Sequence, residues 1–205
     1  MKQQATKLDA FPIPMFLFDI GSPATELNDS LLCDLERELR VDTQTRTGVN
    51  ADQSPAGLES KYQSFSALRD ILGQVSSQLL ERNCTAEHLW GNTITHSHGF
   101  HMPHSHRIGN YMWNGVYFPM TLDGPALHSS SHPPEGSLVL LDPLEFVKSG
   151  VADEDTDRYP YWGNPICITP KAGTMVLFPV YLPHMVTPIG KQETRSSVAF
   201  YLRFA

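Results

Sequence analysis

Nine histidines stand in this 205-residue chain, and eight of them (His88, His96, His98, His101, His104, His106, His128 and His132) fall within 45 consecutive positions, the ninth being His184. Neutral imidazole offers a lone pair near neutral pH, which makes histidine the commonest metal-binding side chain. Residues i and i+2 of a strand share a face. Each His-x-His pair, His96/His98 and His104/His106, could therefore aim two rings at one ion. Taken singly, any of these reads first as a surface or core histidine satisfied by hydrogen bonds. Two features draw His104, His106 and His184 together. The segment from Gly173 to Pro188 reads as an apolar strand ending at His184, with Pro183 and Pro188 fixing the direction of the chain. Eleven residues beyond His184, Arg195 opens another strand. If the two strands pair as a hairpin, a guanidinium sits beside the third imidazole, and its rigid fork suits a carboxylate held at two points. Together these residues describe a site for a metal plus a dicarboxylate chelator.

The remainder of the chain must position that site. With 15 Lys+Arg against 22 Asp+Glu, a net charge of −7, and no basic cluster longer than a pair, a dedicated nucleic-acid or anionic-membrane surface is not expected. The apolar opening run, Phe11 to Phe18, is broken by two prolines and reads as an early strand rather than a signal peptide. Cys33, Cys84 and Cys167 are odd in number and widely spaced, which points to reduced thiols and a cytoplasmic protein. A chain of this size buries enough surface to fold without a metal, so a metal here would serve function.

One-faced spacing predicts two packing helices. Leu31, Leu32, Leu35 and Leu39 follow three possible caps (Asn28, Asp29, Ser30), and Leu68, Ile71, Leu72, Val75 and Leu79 repeat the pattern up to a stop at Asn83. Val41 to Ser60, rich in polar residues and Gly, reads as an exposed loop. From about His88, short apolar runs between Gly, Pro and Asn predict strands over Tyr111–Met120, Ser137–Leu141, Cys167–Thr169, Thr174–Phe178 and Ser196–Phe204. Long loops are expected over Pro133–Gly136 and the acidic Lys148–Pro165. The expectation is a mainly β fold in a single domain, 1–205. Residues 1–87 form an N-terminal strand and helical support, and residues 88–205 form the β core.

Several blocks resemble the small 2-oxoglutarate/Fe(II)-dependent oxygenases of bacteria and phages. They are Trp90-Gly-Asn92, Gly99, Pro103-His-Ser-His106, Gly115-Val-Tyr-Phe118, Leu141-Asp-Pro143, Gly173 to Pro188 and Arg195 to Phe200. The resemblance covers roughly Trp90 to the C-terminus. It implies a double-stranded β-helix (jelly roll) binding Fe(II) and the cosubstrate 2-oxoglutarate, and an enzyme hydroxylating an unidentified substrate with succinate and CO2 as co-products. His104 matches the first histidine of the family's His-x-Asp/Glu…His triad, His184 the distal one, and Arg195 with Ser197 the clamp for the far carboxylate. At the expected carboxylate stands His106, leaving a three-histidine site unless Asp142 supplies the missing ligand. A third neutral imidazole makes the site one unit more positive but still able to bind a divalent ion.

Tyr117 and Asn114 are candidate cosubstrate contacts. They point to opposite faces of one strand, and Tyr117 faces outward if Val116 and Phe118 face in. Asn92 either bonds in the pocket or makes a turn. His96, His98 and His101 are second-rank, as supporting or substrate-contacting residues. His128 and His132 lie in a Ser/Pro-rich loop and are expected to be exposed. Tyr111, Trp113 and the Lys148–Pro165 loop could line the substrate mouth, the substrate being a small molecule or peptide, and the N-terminal helices could mediate a homodimer. A three-histidine zinc hydrolase or lyase is the first rival, though it has no use for Arg195. A noncatalytic metal-binding β-barrel is the second.

Overall fold

The computed structural model describes residues 13–43, 47–95, 98–106, 109–129, 132–143, 165–190 and 194–205. Its helices are α1 (Ser22–Thr25), α2 (Asn28–Leu39) and α3 (Gln63–Leu79), with a 3-10 turn at Leu58–Ser60. The strands begin with β1 (Phe16–Asp19), β2 (Gly48–Val49), β3 (Asp52–Gln53), β4 (Cys84–Ile94), β5 (Phe100–His104) and β6 (Trp113–Phe118). They continue with β7 (Leu127–Ser129), β8 (Leu138–Leu140), β9 (Ile166–Ile168), β10 (Thr174–Pro179), β11 (His184–Val186) and β12 (Arg195–Phe204).

Among the described residues these strands form two six-stranded sheets, in the orders β1-β10-β6-β12-β4-β3 and β2-β5-β11-β8-β9-β7. Two opposed antiparallel sheets with N-terminal helices packed outside are the expected jelly roll.

Strand alternation sorts the first sheet into two faces. Its outer face, with Tyr117, Met175, Leu177, Val198, Phe200 and Leu202, packs against Leu31 and Leu35 of α2 and Phe65, Leu68 and Leu72 of α3. Each such leucine or phenylalanine contributes about 1.5–3 kcal/mol relative to exposure. Gly115 belongs to this face because a Cβ there would lie 2.1 Å from the Phe200 ring. The inner face carries Trp90, Val116, Val176, Phe178, Ala199 and Tyr201 toward Leu138, Leu140 and Ile168 of the second sheet.

Four expectations change. The two helices form, but Asn28 does not cap α2, whose N-cap Leu27 makes no side-chain cap bond. The Asn28 carboxamide instead accepts the Tyr117 hydroxyl at 2.6 Å. Val41–Ser60 is not simply an exposed loop, since β2 pairs with β5 and β3 with β4. Ala51 and Ser54 are buried. The supporting region and the core are also not separate in the fold, because β1, β2 and β3 complete both sheets. Finally, His184 begins its own strand, and β11 and β12 do not pair as a hairpin. β11 lies between β5 and β8, whereas β12 lies between β4 and β6. His184 and Arg195 thus face one interior from opposite sheets.

Candidate functional site

A cavity of about 420 Å3 opens between the sheets, and its walls include His104, His106, His184, Arg195, Ser197 and Asn114. Antiparallel register builds its histidine end. His184 on β11 is the direct cross-strand partner of His104 on β5, which brings their ring centroids to 4.4 Å. His106 follows just after β5, its backbone N–H donating to Val180 O at 2.9 Å. Its ring stacks on His184 at 5.1 Å with planes 14° apart. One ligand atom from each of the three lies within 4.8 Å of the others, and this is the metal-binding grouping found among the described residues. Asp142 is not part of it.

The backbone and one hydroxyl hold these rings from behind. Nδ1 of His104 is 2.7 Å from Met102 O, Nδ1 of His184 is 2.9 Å from Leu182 O, and Nδ1 of His106 is 2.7 Å from the Tyr201 hydroxyl. Occupying Nδ1 leaves Nε2 for an ion, and such outer partners fix ligand orientation and raise basicity. Burial, reinforced by His104, pushes the His106 pKa down to about 4 and that of His184 to about 3. Both are neutral imidazoles at pH 7, the form that ligates. Imidazole donors suit iron, and three converging Nε2 atoms leave coordination positions for other ligands.

The other end of the cavity is cationic. Arg195 is 1% exposed. Its Nε donates to Gly136 O at 2.9 Å and one terminal nitrogen donates to the Ser197 hydroxyl at 3.0 Å. The guanidinium also lies 5.7 Å from the centre of the Phe118 ring. No carboxylate among the described residues forms an ion pair with it. Burial alone pulls its pKa down to about 10, so it remains charged at pH 7. Around the same cavity, His101 Nε2 and Asn114 Oδ1 are buried with no hydrogen-bond partner. A buried charge and two buried orphaned polar atoms are costly unless a ligand meets them.

The remaining sequence candidates are placed as follows. Asn92 lines the cavity from β4. Tyr117 does not reach it: the side chain lies on the helix-facing side of the first sheet, 0% exposed and bonded to Asn28. Strand alternation that turns Asn114 and Val116 inward must turn Tyr117 outward. Trp113 likewise packs outside, against Phe16. Tyr111 stacks behind Tyr201 rather than forming the mouth. His98 is exposed at a turn. His96 and residues 148–164 of the acidic loop lie outside the described residues. His132 is exposed, but His128 is not a loop residue. It belongs to β7, opposite Cys167 of β9, and both its ring nitrogens are buried.

Sequence reading missed Tyr201, Trp90, Thr47, Gln53 and Ser54, all of which line the cavity. The signal for Tyr201 was present. Arg195, Ser197, Ala199 and Tyr201 alternate along one strand, so the face that holds Arg195 also holds Tyr201. A bulge keeps that alternation in phase: Trp90 pairs with Ala199 and Glu87 with Tyr201, leaving two β4 residues opposite one of β12. His88, at φ 55°, forms it, and its N–H and that of Leu89 donate to the Glu59 carboxylate at 3.0 and 2.9 Å.

Residues 88–201, more than half the chain, match the family described as "Putative 2OG-Fe(II) oxygenase". The chain belongs to this oxygenase family. Iron(II) is accordingly its cofactor and 2-oxoglutarate its cosubstrate. The fold of this oxygenase is similar to that of a Pseudomonas putida prolyl-4-hydroxylase, at 17% identity and TM-score 0.59 over 94% of each chain. It is also similar to HygX from Streptomyces hygroscopicus with nickel and 2-oxoglutarate bound, at 12% identity and TM-score 0.60 over 93% of this chain and 82% of that one. A viral collagen prolyl hydroxylase from Paramecium Bursaria Chlorella virus-1 aligns at 10% identity and TM-score 0.57, covering 93% and 96%. No curated protein matches the sequence. No described helix is long and apolar enough to cross a membrane.

Proposed function

We propose that His104, His106 and His184 hold iron(II) through Nε2, and that Arg195 with Ser197 grips the far carboxylate of 2-oxoglutarate in the same cavity. The observation that carries this reading is a fully buried guanidinium, lacking a carboxylate among the described residues, in one chamber with three imidazoles bonded at Nδ1. A metal alone would leave Arg195 without a role, and an anion alone would not explain three rings aimed at one point. Bound there, iron(II) and 2-oxoglutarate supply oxygen activation with release of succinate and CO2. This chain's residues bind, orient and exclude water. Ser197, bonded to Arg195, can also donate to the carboxylate. Asn114 and His101 offer orphaned polar atoms to the cosubstrate or to ordered water. Trp90, Val116, Leu138 and Val186 give the chamber apolar walls.

The substrate enters on the side of the cavity lined by the half-buried or exposed Thr47, Gln53, Ala56 and His88 and is hydroxylated within. A chamber of about 420 Å3 accommodates a small molecule or one side chain of a peptide. Cys33, Cys84 and Cys167, which form no disulfide among the described residues, support a cytoplasmic location.

The test is anaerobic loading with iron(II), followed by oxygen and 2-oxoglutarate, with succinate quantified. Succinate should form only with iron(II), even without substrate at a slow uncoupled rate, and His184→Ala should abolish it. Succinate formation that survives His184→Ala, or none from the iron-loaded wild type, would overturn the reading.

A further inference from the structure

The wall beside His106 depends on a residue that stands outside the cavity. Trp90 packs on the Tyr201 ring at 5.0 Å and on the His106 ring at 5.9 Å between centroids, and the Tyr201 hydroxyl lies 2.7 Å from His106 Nδ1. Trp90 faces inward only because β4 breaks its own alternation. Ala86 and Leu89, three positions apart, both belong to the helix-side core. Regular alternation puts residues an odd number apart on opposite faces. Continued from Ala86, it would turn Leu89 into the cavity and Trp90 onto the helices. His88 is the extra residue that resets the count.

That reset has a conformational cost. His88 sits at φ 55°, a left-handed backbone that glycine adopts freely and that a β-carbon disfavours. The compensation comes from another element. One carboxylate oxygen of Glu59 accepts the His88 N–H at 3.0 Å and the other accepts the Leu89 N–H at 2.9 Å. Successive backbone N–H groups about such a turn make a concavity suited to an anion, and here the anion belongs to the chain itself. Glu59 is fixed in turn. It lies in the 3-10 turn Leu58–Ser60, whose Leu58 is 2% exposed within the helix-side core. The N–H of Gly57, just before that turn, donates to Leu89 O at 3.0 Å. Leu89 is thus gripped through both its N–H and its carbonyl.

We propose that Glu59 is a positioning residue of the metal site, acting through the His88 bulge to hold Trp90 against His106 and Tyr201. This rests on the reading of His106 as a ligand. Without the carboxylate, a left-handed His88 has to hold itself. The strain is relieved when the bulge slides along β4, and sliding carries Trp90 away from both rings. The N–H groups that Glu59 meets belong to the backbone, so its effect depends on the conformation of residue 88 rather than on an imidazole there.

That dependence supplies the test. Glu59→Ala is made in the full chain twice, once with His88 and once with His88→Gly, and each pair is compared for zinc(II) affinity and for the near-ultraviolet circular dichroism of the metal-free protein. With His88 present, Glu59→Ala should weaken zinc(II) binding on the order of tenfold, the lower end of what losing an outer partner of a ligand costs. It should also lose part of the aromatic dichroism from the Trp90 and Tyr201 pair. With glycine at 88, which takes the bulge conformation unaided, the same substitution should change zinc(II) affinity by less than about twofold. Unchanged zinc(II) affinity in Glu59→Ala overturns the inference, and so does an equal loss in both backgrounds. A lower urea midpoint with affinity and dichroism intact would make Glu59 a residue of the fold alone, which also overturns it. If His184→Ala binds zinc(II) as tightly as wild type, the metal reading itself has failed. The dichroism of the metal-free pairs then decides whether Glu59 holds Trp90.

Discussion

The two ends of the cavity are built on opposite principles. At the histidine end, strand register and outer hydrogen bonds bring three rings together, and each has a partner at Nδ1. At the arginine end a full charge is buried, its hydrogen bonds among the described residues going to a carbonyl and a hydroxyl and its face lying near the Phe118 ring. The first end is ready-made at little electrostatic cost. Among the described residues the second has no carboxylate partner, and its natural complement is an anion, because a buried charge left unpaired is expensive. In the proposed reading, that difference lets one end wait for a metal and the other select a dicarboxylate.

Removing either end should therefore fail differently. His184→Ala deletes the most buried ligand and should bring iron-dependent succinate formation to background, checked by metal content and turnover together. A variant that keeps stoichiometric iron would contradict the equal standing of the three rings. Arg195→Met keeps volume but removes the charge. It should raise the 2-oxoglutarate requirement on the order of 100-fold, about 3 kcal/mol, with iron binding retained. It should also leave the metal-free protein as stable as wild type or slightly more so, since replacing a buried charge by an apolar chain is often neutral or stabilising. Denaturation of metal-free Arg195→Met at a clearly lower urea concentration would mean that Arg195 serves the fold instead.

Acid should distinguish the ends as well. Burial, ahead of the Arg195 charge, pushes His101 down to about 3, and burial ahead of His104 pushes His106 and His184 down to about 4 and 3. The unfolded chain binds those protons near the ordinary value of 6.5, and the folded chain resists them. Stability contributed by these rings is therefore full above pH 6.5 and falls as pH drops from there toward 4. Arg195 stays charged throughout and adds nothing to that slope. Urea midpoints of the metal-free protein should be lower at pH 5.5 than at pH 7.5, and a midpoint that rises on acidification would contradict the burial of neutral histidines.

The smallest effect concerns the far face of the sheet. Tyr117→Phe removes a buried hydroxyl from Asn28 and should cost about 1 kcal/mol of stability, while leaving the 2-oxoglutarate requirement unchanged. A shift in that requirement would mean that Tyr117 belongs to the cavity after all.

How much of this was legible beforehand follows from range. Local periodicity located the two longer helices and six of the twelve described strands, His-x-His spacing and a strand-end histidine drew His104, His106 and His184 together, and the family resemblance matched His104, His184 and Arg195 while marking His106 as a departure. Alternation along β6 already set Tyr117 against Asn114, but parity could not say which face was inside until the helices covered one of them. The hairpin expectation failed because strands adjacent in sequence entered opposite sheets, a consequence of jelly-roll winding that the segment from His184 to Arg195 does not encode locally. The cavity wall at Thr47, Gln53 and Ser54 was hidden because these residues lie in or beside strands of two residues, which carry no periodicity. The bulge at His88 shifts β4 by a residue, so the register that brings Trp90 and Tyr201 to the cavity was not readable from alternation in β4 alone.

The central claim, that the metal and the dicarboxylate meet in one chamber, is most directly tested by titrating 2-oxoglutarate anaerobically into the iron(II)-loaded protein while recording the visible spectrum. A weak, saturable charge-transfer band should grow in, and Arg195→Met should need far more 2-oxoglutarate to reach it. Iron-loaded protein that shows no such band at any 2-oxoglutarate concentration would contradict the account.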